Sequence, residues 1–484
     1  MIFKDLRGYT DKLKDEGELL QIEEEVDWNL EVGAIIRRSY DLKAPAPFFQ
    51  KIKDYPDGYR IFGAPAGASN KPDRYYVRSA ISLGLKPDST ASEIIEEYIK
   101  RKNQPIKPVL VKGGACKENI LIGEELDLEA FPAPLLHQGD GGRYIGTWHI
   151  VVTKDPDTGW VNWGMYRLML HDKKSMGILL TPLQDIGSMY YQKYESRDKP
   201  MEVAIAMGTE PVTSLIACSM LPVGVNEADI VGGIRGEPIE LAKGETVDLD
   251  VPANAEIIIE GEILPYERKD EGPFGEYTGF RAGKRSPKPV IHVKAITHRN
   301  DPILPVSCMG VPVDDSHACM TLTMAGDILD ELRKQGLPVK MVYLPPDSAC
   351  HMVVVSTRVP YPNFAKRVAT GVWATKAGNL SYYLIVVDDD VEVTNMNEVL
   401  HAMCNKCHPD RGIFKMPNSP GSPVLIPFLN PQERLIGNAA RVLFDCTWPK
   451  DWPDEDTPSK VSFNVAWPKE IQERVLSKWG KYGY

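Results

Sequence analysis

Between Tyr144 and Leu180 the chain reads as short alternating apolar runs cut by polar turns. Ile145 to Thr153 alternates, DPDTG at 155–159 reverses it, and Trp160 to Leu170 returns. HDKKS at 171–175 turns again before Met176 to Leu180. Period-two alternation commits each run to a strand with one buried face, and short links of this kind join strands that lie antiparallel. Further runs at Ala255–Leu264, Val290–Thr297 and Ile303–Ser307 carry the same punctuation by Gly, Pro and Asp. The stretch from Tyr144 to about Ser307 is therefore predicted to be a small antiparallel barrel or sandwich.

The flanks have a different texture. Phe3–Leu20 and Leu30–Leu42 show helical spacing. Thr90-Ala-Ser-Glu93 has the reciprocal pattern of a helix start, in which each end's side chain bonds the other's backbone amide. FPAPLLHQGDGG, residues 131–142, is a proline- and glycine-rich loop ahead of the strands. After Asp314, helices at Ile328–Gln335 and Phe364–Lys376 alternate with strands at Val339–Leu344, Met352–Ser356 and Leu384–Val387, the last running into Asp388-Asp389-Asp390. The terminal WPKEIQERVLSKWGKYGY places Trp467, Ile471, Val475 and Trp479 at four-residue steps. Such an amphipathic helix should dock its stripe on its own body or on a neighbouring subunit. A chain of 484 residues exceeds one ordinary domain, and the textures divide it into 1–120, 121–313 and 314–484, an α/β (α+β) protein of three units.

The net charge of −11 and a pI near 5.5 argue against nucleic acid or an anionic membrane as the main partner. No apolar run approaches the roughly 20 residues that cross a bilayer, and the charged N-terminus has no export signal, so a cytoplasmic location is expected. Eight scattered cysteines read as reduced thiols in a chain of this size. Cys404-Asn-Lys-Cys407-His408 matches the pattern of covalent c-type haem attachment, a chemistry that normally follows export. It also closes the apolar-periodic stretch Met396–Cys404, so it reads as two ordinary thiols at a helix end.

KDEGPFGEYTG, residues 269–279, sets Glu271 and Glu276 around a Gly-Pro-Phe-Gly core. Pro273 fixes φ and the two glycines admit conformations closed to other residues, so the turn between the acids is sharp. Acids in a turn are ordinarily solvated. Here Pro273, Phe274, Tyr277 and Phe280 surround them, and apolar surroundings raise a carboxyl pKa until a glutamic acid can donate a proton near neutrality. Paired carboxylates about 5–9 Å apart also hydrolyse glycosides, a reading that sequence spacing leaves open but ranks low, because these strands contain few of the exposed aromatic and polar clusters of a sugar cleft.

In the run from Val161 to Leu170, Arg167 stands in an apolar strand and needs a carboxylate partner, whether structural or catalytic. Asn162 and Arg167 would face opposite sides of a regular strand, and Gly164 between them marks a bulge or a close approach to the backbone. Asn162, Asp185 and Glu227 are oxygen donors of the kind that bind Mg2+ or Mn2+, although the segments around Asp185 and Glu227 look like routine polar loops one by one.

Taken together, FPAPLLHQGDGGRYIGT (131–147), NWGMYRLML (162–170), TPLQDIG (181–187), NEADIVGG (226–233) and EGPFGEYTGF (271–280) resemble, in order and spacing, the UbiD family of prenylated-FMN-dependent reversible (de)carboxylases. The resemblance covers essentially the whole chain. It implies an N-terminal α/β domain, a central FMN-binding split β-barrel and a C-terminal α/β oligomerisation domain, hence a homodimer or homohexamer. It also implies a catalytic network of Arg167, Glu271 and Glu276, with Arg167 paired to Glu271 and Glu276 returning the proton. Prenylated FMN would be contacted by Asn162, Trp163, Gly164, Met165, Tyr166, Arg167, Gln184, Asp185 and Glu227. Asn162, Asp185 and Glu227 would hold Mn2+ or Mg2+ at the flavin phosphate, with K+ as a further ion. The implied reaction is non-oxidative, reversible decarboxylation of an aromatic, heteroaromatic or α,β-unsaturated acid through a covalent flavin adduct, with CO2 as product. A flavin prenyltransferase would supply the cofactor.

Two positions depart from the family pattern. Asp185 stands where histidine is common, which adds negative charge beside a phosphate. The stretch Asn379-Leu-Ser-Tyr382-Tyr383 lacks the lysine that some members offer the phosphate. Ser307 and Cys308 supply no cation for a second substrate carboxylate, so a monocarboxylic acid, fused or phenolic, is expected. The alternative from another class is a non-catalytic or scaffolding subunit of a larger carboxylase. It predicts loss of Arg167, Glu271 or Glu276, and all three are present.

Overall fold

The computed structural model describes residues 2–281, 283–420 and 426–484. Helix Leu6–Asp15 starts at Asp5, whose carboxylate accepts from Gly8 N, and buries Leu6, Tyr9 and Leu13. The helical spacing expected through Leu20 ends early, because Leu19–Val26 instead pairs in parallel with strand Ala46–Ile52. Its run of glutamates hid the strand: only Val26 of the eight residues is buried, so there is little apolar alternation to read. The reciprocal cap at Thr90 and Glu93 forms as expected and opens helix Ala91–Lys102. Strand Ile303–Val306 pairs in parallel with Arg60–Gly63 and completes the four-stranded N-terminal sheet. That strand was expected in the barrel. Its fully apolar, fully buried sequence suits either sheet, so only tertiary pairing assigns it.

The central sheet has nine strands, labelled β1 Asn119–Ile122, β2 Tyr144–Gly146, β3 His149–Lys154, β4 Val161–Gly164, β5 Leu168–Asp172, β6 Ser175–Ile178, β7 Met201–Met207, β8 Ile257–Glu271 and β9 Ser286–His298. Their spatial order is β2-β5-β6-β9-β8-β7-β3-β4, with β1 added on β9, and every pairing is antiparallel. The single returning strand expected over Trp160–Leu170 is two strands, β4 at one end of this order and β5 near the other. Six inter-strand steps separate them, about 29 Å in a flat sheet. Yet only Met165–Arg167 connects them, and Gly164 to Leu168 reaches at most about 14 Å. The sheet must therefore curl until its ends approach, leaving a split barrel whose seam is crossed by Met165–Arg167.

The C-terminal unit is a five-stranded mixed sheet with strand Tyr383–Asp388 at its centre. Helix Asp315–Lys334 packs beside it and starts well before the expected Ile328. Buried Ser316, His317, Thr321 and Thr323 interrupt its apolar stripe, which is why its first half was not legible. Cys404 and Cys407 sit at the end of helix Met396–Lys406, and all eight cysteines are free thiols. The terminal stretch is broken into helices Phe463–Ala466 and Lys469–Ser477 and a last turn at Trp479–Tyr482. Trp467 and Trp479 remain 48% and 46% exposed while Ile471 and Val475 are half-buried, so the stripe is only partly covered. Among the described residues, no helix is long and apolar enough to cross a membrane.

Candidate active site

The Met165–Arg167 crossing is fixed by what surrounds it. His149 in β3 places Nε2 3.0 Å from the Tyr166 carbonyl oxygen. Burial pulls His149 down to about 4, so its neutral imidazole donates to that oxygen. The Cys218 thiol lies 3.7 Å from Met165 Sδ. Free of a regular strand, Arg167 can turn to the same side as the acidic loop, so the opposite-face argument from spacing does not apply.

Glu271 is the last residue of β8, paired with Ser286, so the strand runs seven residues past the expected Leu264. The turn begins only at Gly272, whose φ of +78° suits glycine. Arg167 grips Glu271 with two nitrogens, Nε to Oε1 at 2.9 Å and Nη2 to Oε2 at 2.8 Å. Its third nitrogen, Nη1, bonds Glu276 Oε1. The arginine thus bridges both acids rather than pairing with Glu271 alone. Tyr144 adds a hydroxyl donor to Glu271 Oε1 at 2.8 Å, and its ring packs 4.3 Å from that of Phe274, which lies under the guanidinium. Glu271 is fully buried and Glu276 is 5% exposed. Burial pushes Glu276 up, with Arg167 opposing and the charge of Glu271 adding to the rise. Glu271 receives three donors and Glu276 one, so the two acids sit in different environments.

A second loop braces the first. Gly275 N donates to Asp140 Oδ1 at 3.1 Å, and Gly141 N donates to the Pro273 carbonyl at 2.7 Å. His137 spans from Asp140 Oδ2 at 2.9 Å to the Met309 carbonyl at 2.9 Å. Burial works against a charge on His137, but bonds to Asp140 and Cys308 outweigh it and raise the imidazole to about 10. A Cβ on Gly275 would sit 2.7 Å from the His137 ring, so only glycine fits. His137, Asp140 and Tyr144 were visible in FPAPLLHQGDGGRY but had no assigned role, because nothing local says which loop they brace.

The metal and flavin candidates gather on the β4 side of the seam. Asn162 Nδ2 donates to Glu227 Oε1 at 3.3 Å, and Trp163 N donates to Glu227 Oε2 at 2.9 Å. Asn162 is 2% exposed, and its Oδ1 is buried without a partner among the described residues. Glu227 and Asp185 each open a helix, Glu227–Arg235 and Asp185–Met189, rather than lying in loops. Burial pushes Glu227 up to about 7, the amide of Trp163 opposing and the charge of Asp185 adding to it. Gln184 accepts from Thr181 N at 2.9 Å and so shapes its own loop. Lys376 bonds Asp185 and donates to the Leu221 carbonyl at 2.7 Å. This lysine was missed as a site residue. It stands 191 residues from Asp185, in the turn just past helix Phe364–Ala374, and no local signal marks it. Among the described residues, no group of three His, Cys, Asp or Glu forms a metal cage; the set here is two carboxylates and an amide.

Family profiles described as 3-octaprenyl-4-hydroxybenzoate carboxy-lyase match almost the whole chain, the N-terminal domain over 10–98, the Rift-related domain over 108–312 and the C-terminal domain over 317–446. The chain belongs to the UbiD family. It is a UbiD-type carboxy-lyase, with relatives along its full length. It is 36% identical to a pyrrole-2-carboxylic acid decarboxylase of Pseudomonas aeruginosa, over 99% of this chain and 98% of the relative. Among solved structures, the closed form of the vanillic acid decarboxylase of Sedimentibacter hydroxybenzoicus superposes with a TM-score of 0.87 at 28% identity, covering 99% of both chains. An evolved dimeric form of the UbiD-class enzyme HmfF from Pelotomaculum thermopropionicum, in complex with prFMN, gives a TM-score of 0.76 at 27% identity over 96% of this chain and 98% of that one.

Proposed function

We propose that this UbiD protein carries out non-oxidative, reversible decarboxylation of an aromatic or heteroaromatic acid with prenylated FMN. The observation that carries the reading is the buried Glu271–Arg167–Glu276 bridge facing the seam of the split barrel. When bound, the prenylated flavin supplies the electron sink, as a covalent partner of the substrate, that no protein side chain offers for the pair left by CO2.

The residues present fit the cofactor and its ion. The unpartnered Asn162 Oδ1 and the charge-starved Glu227 call for a cation, and with Asp185 they form the hard oxygen set that suits Mn2+ or Mg2+. Lys376 offsets the charge that Asp185 adds and would be a cation for the flavin phosphate when the cofactor is bound, with K+ a further candidate counter-ion. Trp163 Nε1, buried and unpartnered among the described residues, is a second donor on this face.

Arg167 grips and orients Glu271, with Tyr144 fixing the other side of the carboxyl group. Glu276, whose proton burial helps retain, gives that proton to the ring carbon that has lost CO2, and takes one from it in the reverse direction. The Asp140–His137 brace keeps Glu276 at the reacting carbon, since a misplacement of about 1 Å costs roughly a hundredfold in rate. The exposed terminal helix and its tryptophans provide a face for a homodimer or a higher homo-oligomer. A scaffolding role would have no use for this intact network.

Co-expression with a flavin prenyltransferase, followed by H/D exchange on a panel of aromatic acids, tests the reading. Glu276→Gln should keep its flavin absorbance and lose exchange by at least about a hundredfold. Substantial exchange in that variant would remove Glu276 from the proton-transfer role.

A further inference from the structure

The acid bridge has a second side. His171 lies in β5 where that strand enters the HDKKS turn, and its Nε2 is buried without a partner among the described residues. A Cβ on Gly177, in the adjacent strand β6, would stand 2.8 Å from that nitrogen and 3.1 Å from Glu271 Cγ. Nε2 and the Glu271 side chain therefore border one gap, which is open because residue 177 has no side chain. The φ of Gly177 lies outside the left-handed region, so space rather than backbone conformation calls for glycine here. A glycine inside a strand marks a close approach, in this case of an imidazole to a buried acid.

The His171 ring is half-buried. Burial lowers it from its ordinary value, with Lys269 and Arg285 adding to the fall and Asp172 and Glu271 opposing it. At neutral pH the ring therefore has one N–H and one lone pair, and it can take a proton on one nitrogen while releasing another from the second. Beside it, Lys269 and Asp172 bond each other at 3.3 Å with side chains that reach solvent. Lys288 in β9 also feels the charges of Glu271 and Arg167, and burial lowers it. An ammonium offers donors on a single nitrogen, so it lacks the two-ended relay of an imidazole.

Each decarboxylation breaks the bond to CO2, leaves its electron pair on the ring carbon and consumes one proton to make the new C–H bond. Glu276 gives that proton and is only 5% exposed, so bulk water does not recharge it directly. We infer that His171 is the proton conduit behind the bridge, carrying protons between solvent and Glu271. The inference rests on the decarboxylase reading and says how its proton is renewed. Solvent protonates one ring nitrogen, Nε2 gives its own proton to Glu271, and Glu271 passes one to Glu276, bonded to the same guanidinium. The imidazole ends neutral, one proton has moved inward, and the reverse reaction runs the same steps outward. In unliganded sites such bonds are commonly long or bridged by one water, and they tighten in the loaded complex.

Histidine-selective 13C NMR of the flavin-free protein tests the contact. The His171 resonance, identified by its loss in His171→Ala, should titrate at lower pH in Glu271→Gln, because the charge of Glu271 opposes the fall. An unchanged midpoint would overturn the assignment. The second arm measures H/D exchange and CO2 release by the flavin-loaded enzyme. His171→Ala should lose exchange by at least about tenfold with KM unchanged, and added imidazole should restore it. His171→Gln keeps a donor and an acceptor but cannot relay a proton, so it should be as slow as His171→Ala. Circular dichroism establishes that each variant is folded. Native exchange in His171→Gln, or no response of His171→Ala to imidazole, would show a merely structural histidine and overturn the conduit. A wild type that releases CO2 beside a His171→Ala with native exchange overturns the conduit alone. A wild type that releases CO2 from no acid refutes the decarboxylase reading and the conduit with it.

Discussion

Replacing Arg167 with methionine is the most exacting test of the acid bridge. The side chain would keep an apolar stem of similar reach and lose the one cation bonded to both Glu271 and Glu276. Those carboxylates are 0% and 5% exposed, so solvent cannot substitute for the guanidinium. Removing one partner from a buried ion pair costs about 3–5 kcal/mol. The folded variant recovers part of that loss by binding a proton at Glu276, whose pKa burial already raises above 4.5. A carboxyl raised in the folded state binds more protons folded than unfolded. Its contribution is fully present below the unfolded pKa and is lost as pH rises through the folded one. The variant should therefore be weakest at pH 8 and regain stability on acidification, by at most about 1.4 kcal/mol per pH unit. Between pH 8 and pH 6 its deficit against wild type should narrow by up to about 2.7 kcal/mol. Urea titrations followed by tryptophan fluorescence at both pH values measure this. A deficit below about 1 kcal/mol at pH 8, or one that does not change with pH, would refute the buried-bridge argument.

Two further outcomes follow from neighbouring geometry. Lys376→Met leaves Asp185 and Glu227 without their balancing ammonium, so the purified variant should carry at least about tenfold less flavin per protein. Absorbance after co-expression with the prenyltransferase checks this, and wild-type loading would exclude Lys376 from the cofactor site. Gly275→Ala would drive a Cβ to 2.7 Å from the His137 ring, which should destabilise the loop by about 1–3 kcal/mol and lower kcat more than it changes KM. A variant with native kinetics would show that the Asp140–His137 brace does not position Glu276.

Much of the architecture was legible because its signals are local. The turns at 155–159 and 171–175 and the reciprocal cap at Thr90 depend on neighbours a few residues away, and each stands where it was expected. The demand that Arg167 find a carboxylate followed from the cost of burying a bare guanidinium, and it is met twice. Where the signals were not local, the reading failed. No polar turn cluster interrupts 160–170, although the chain leaves one edge of the sheet and enters near the other. The end of β8 was hidden because its outer stretch from Tyr266 to Asp270 is polar and partly solvated, so it resembles a loop. The buried hydroxyls and histidine of helix Asp315–Lys334 broke the pattern that normally reveals a helix.

By itself the sequence determined the residue types of the site, the turn that separates the two glutamates, and membership of a family with a characteristic order of motifs. Only the tertiary structure decided that one arginine bridges both acids, that His137 and Asp140 brace their loop, and that Lys376 answers Asp185. Arg167 lies 104 residues from Glu271 and 109 from Glu276, and Lys376 lies 191 from Asp185. Contacts at such separations come from the curling of the barrel and the packing of the C-terminal unit against it. Spacing along the chain fixes geometry only over the few residues of a turn or a helix, and beyond that range the closure of the sheet sets every distance.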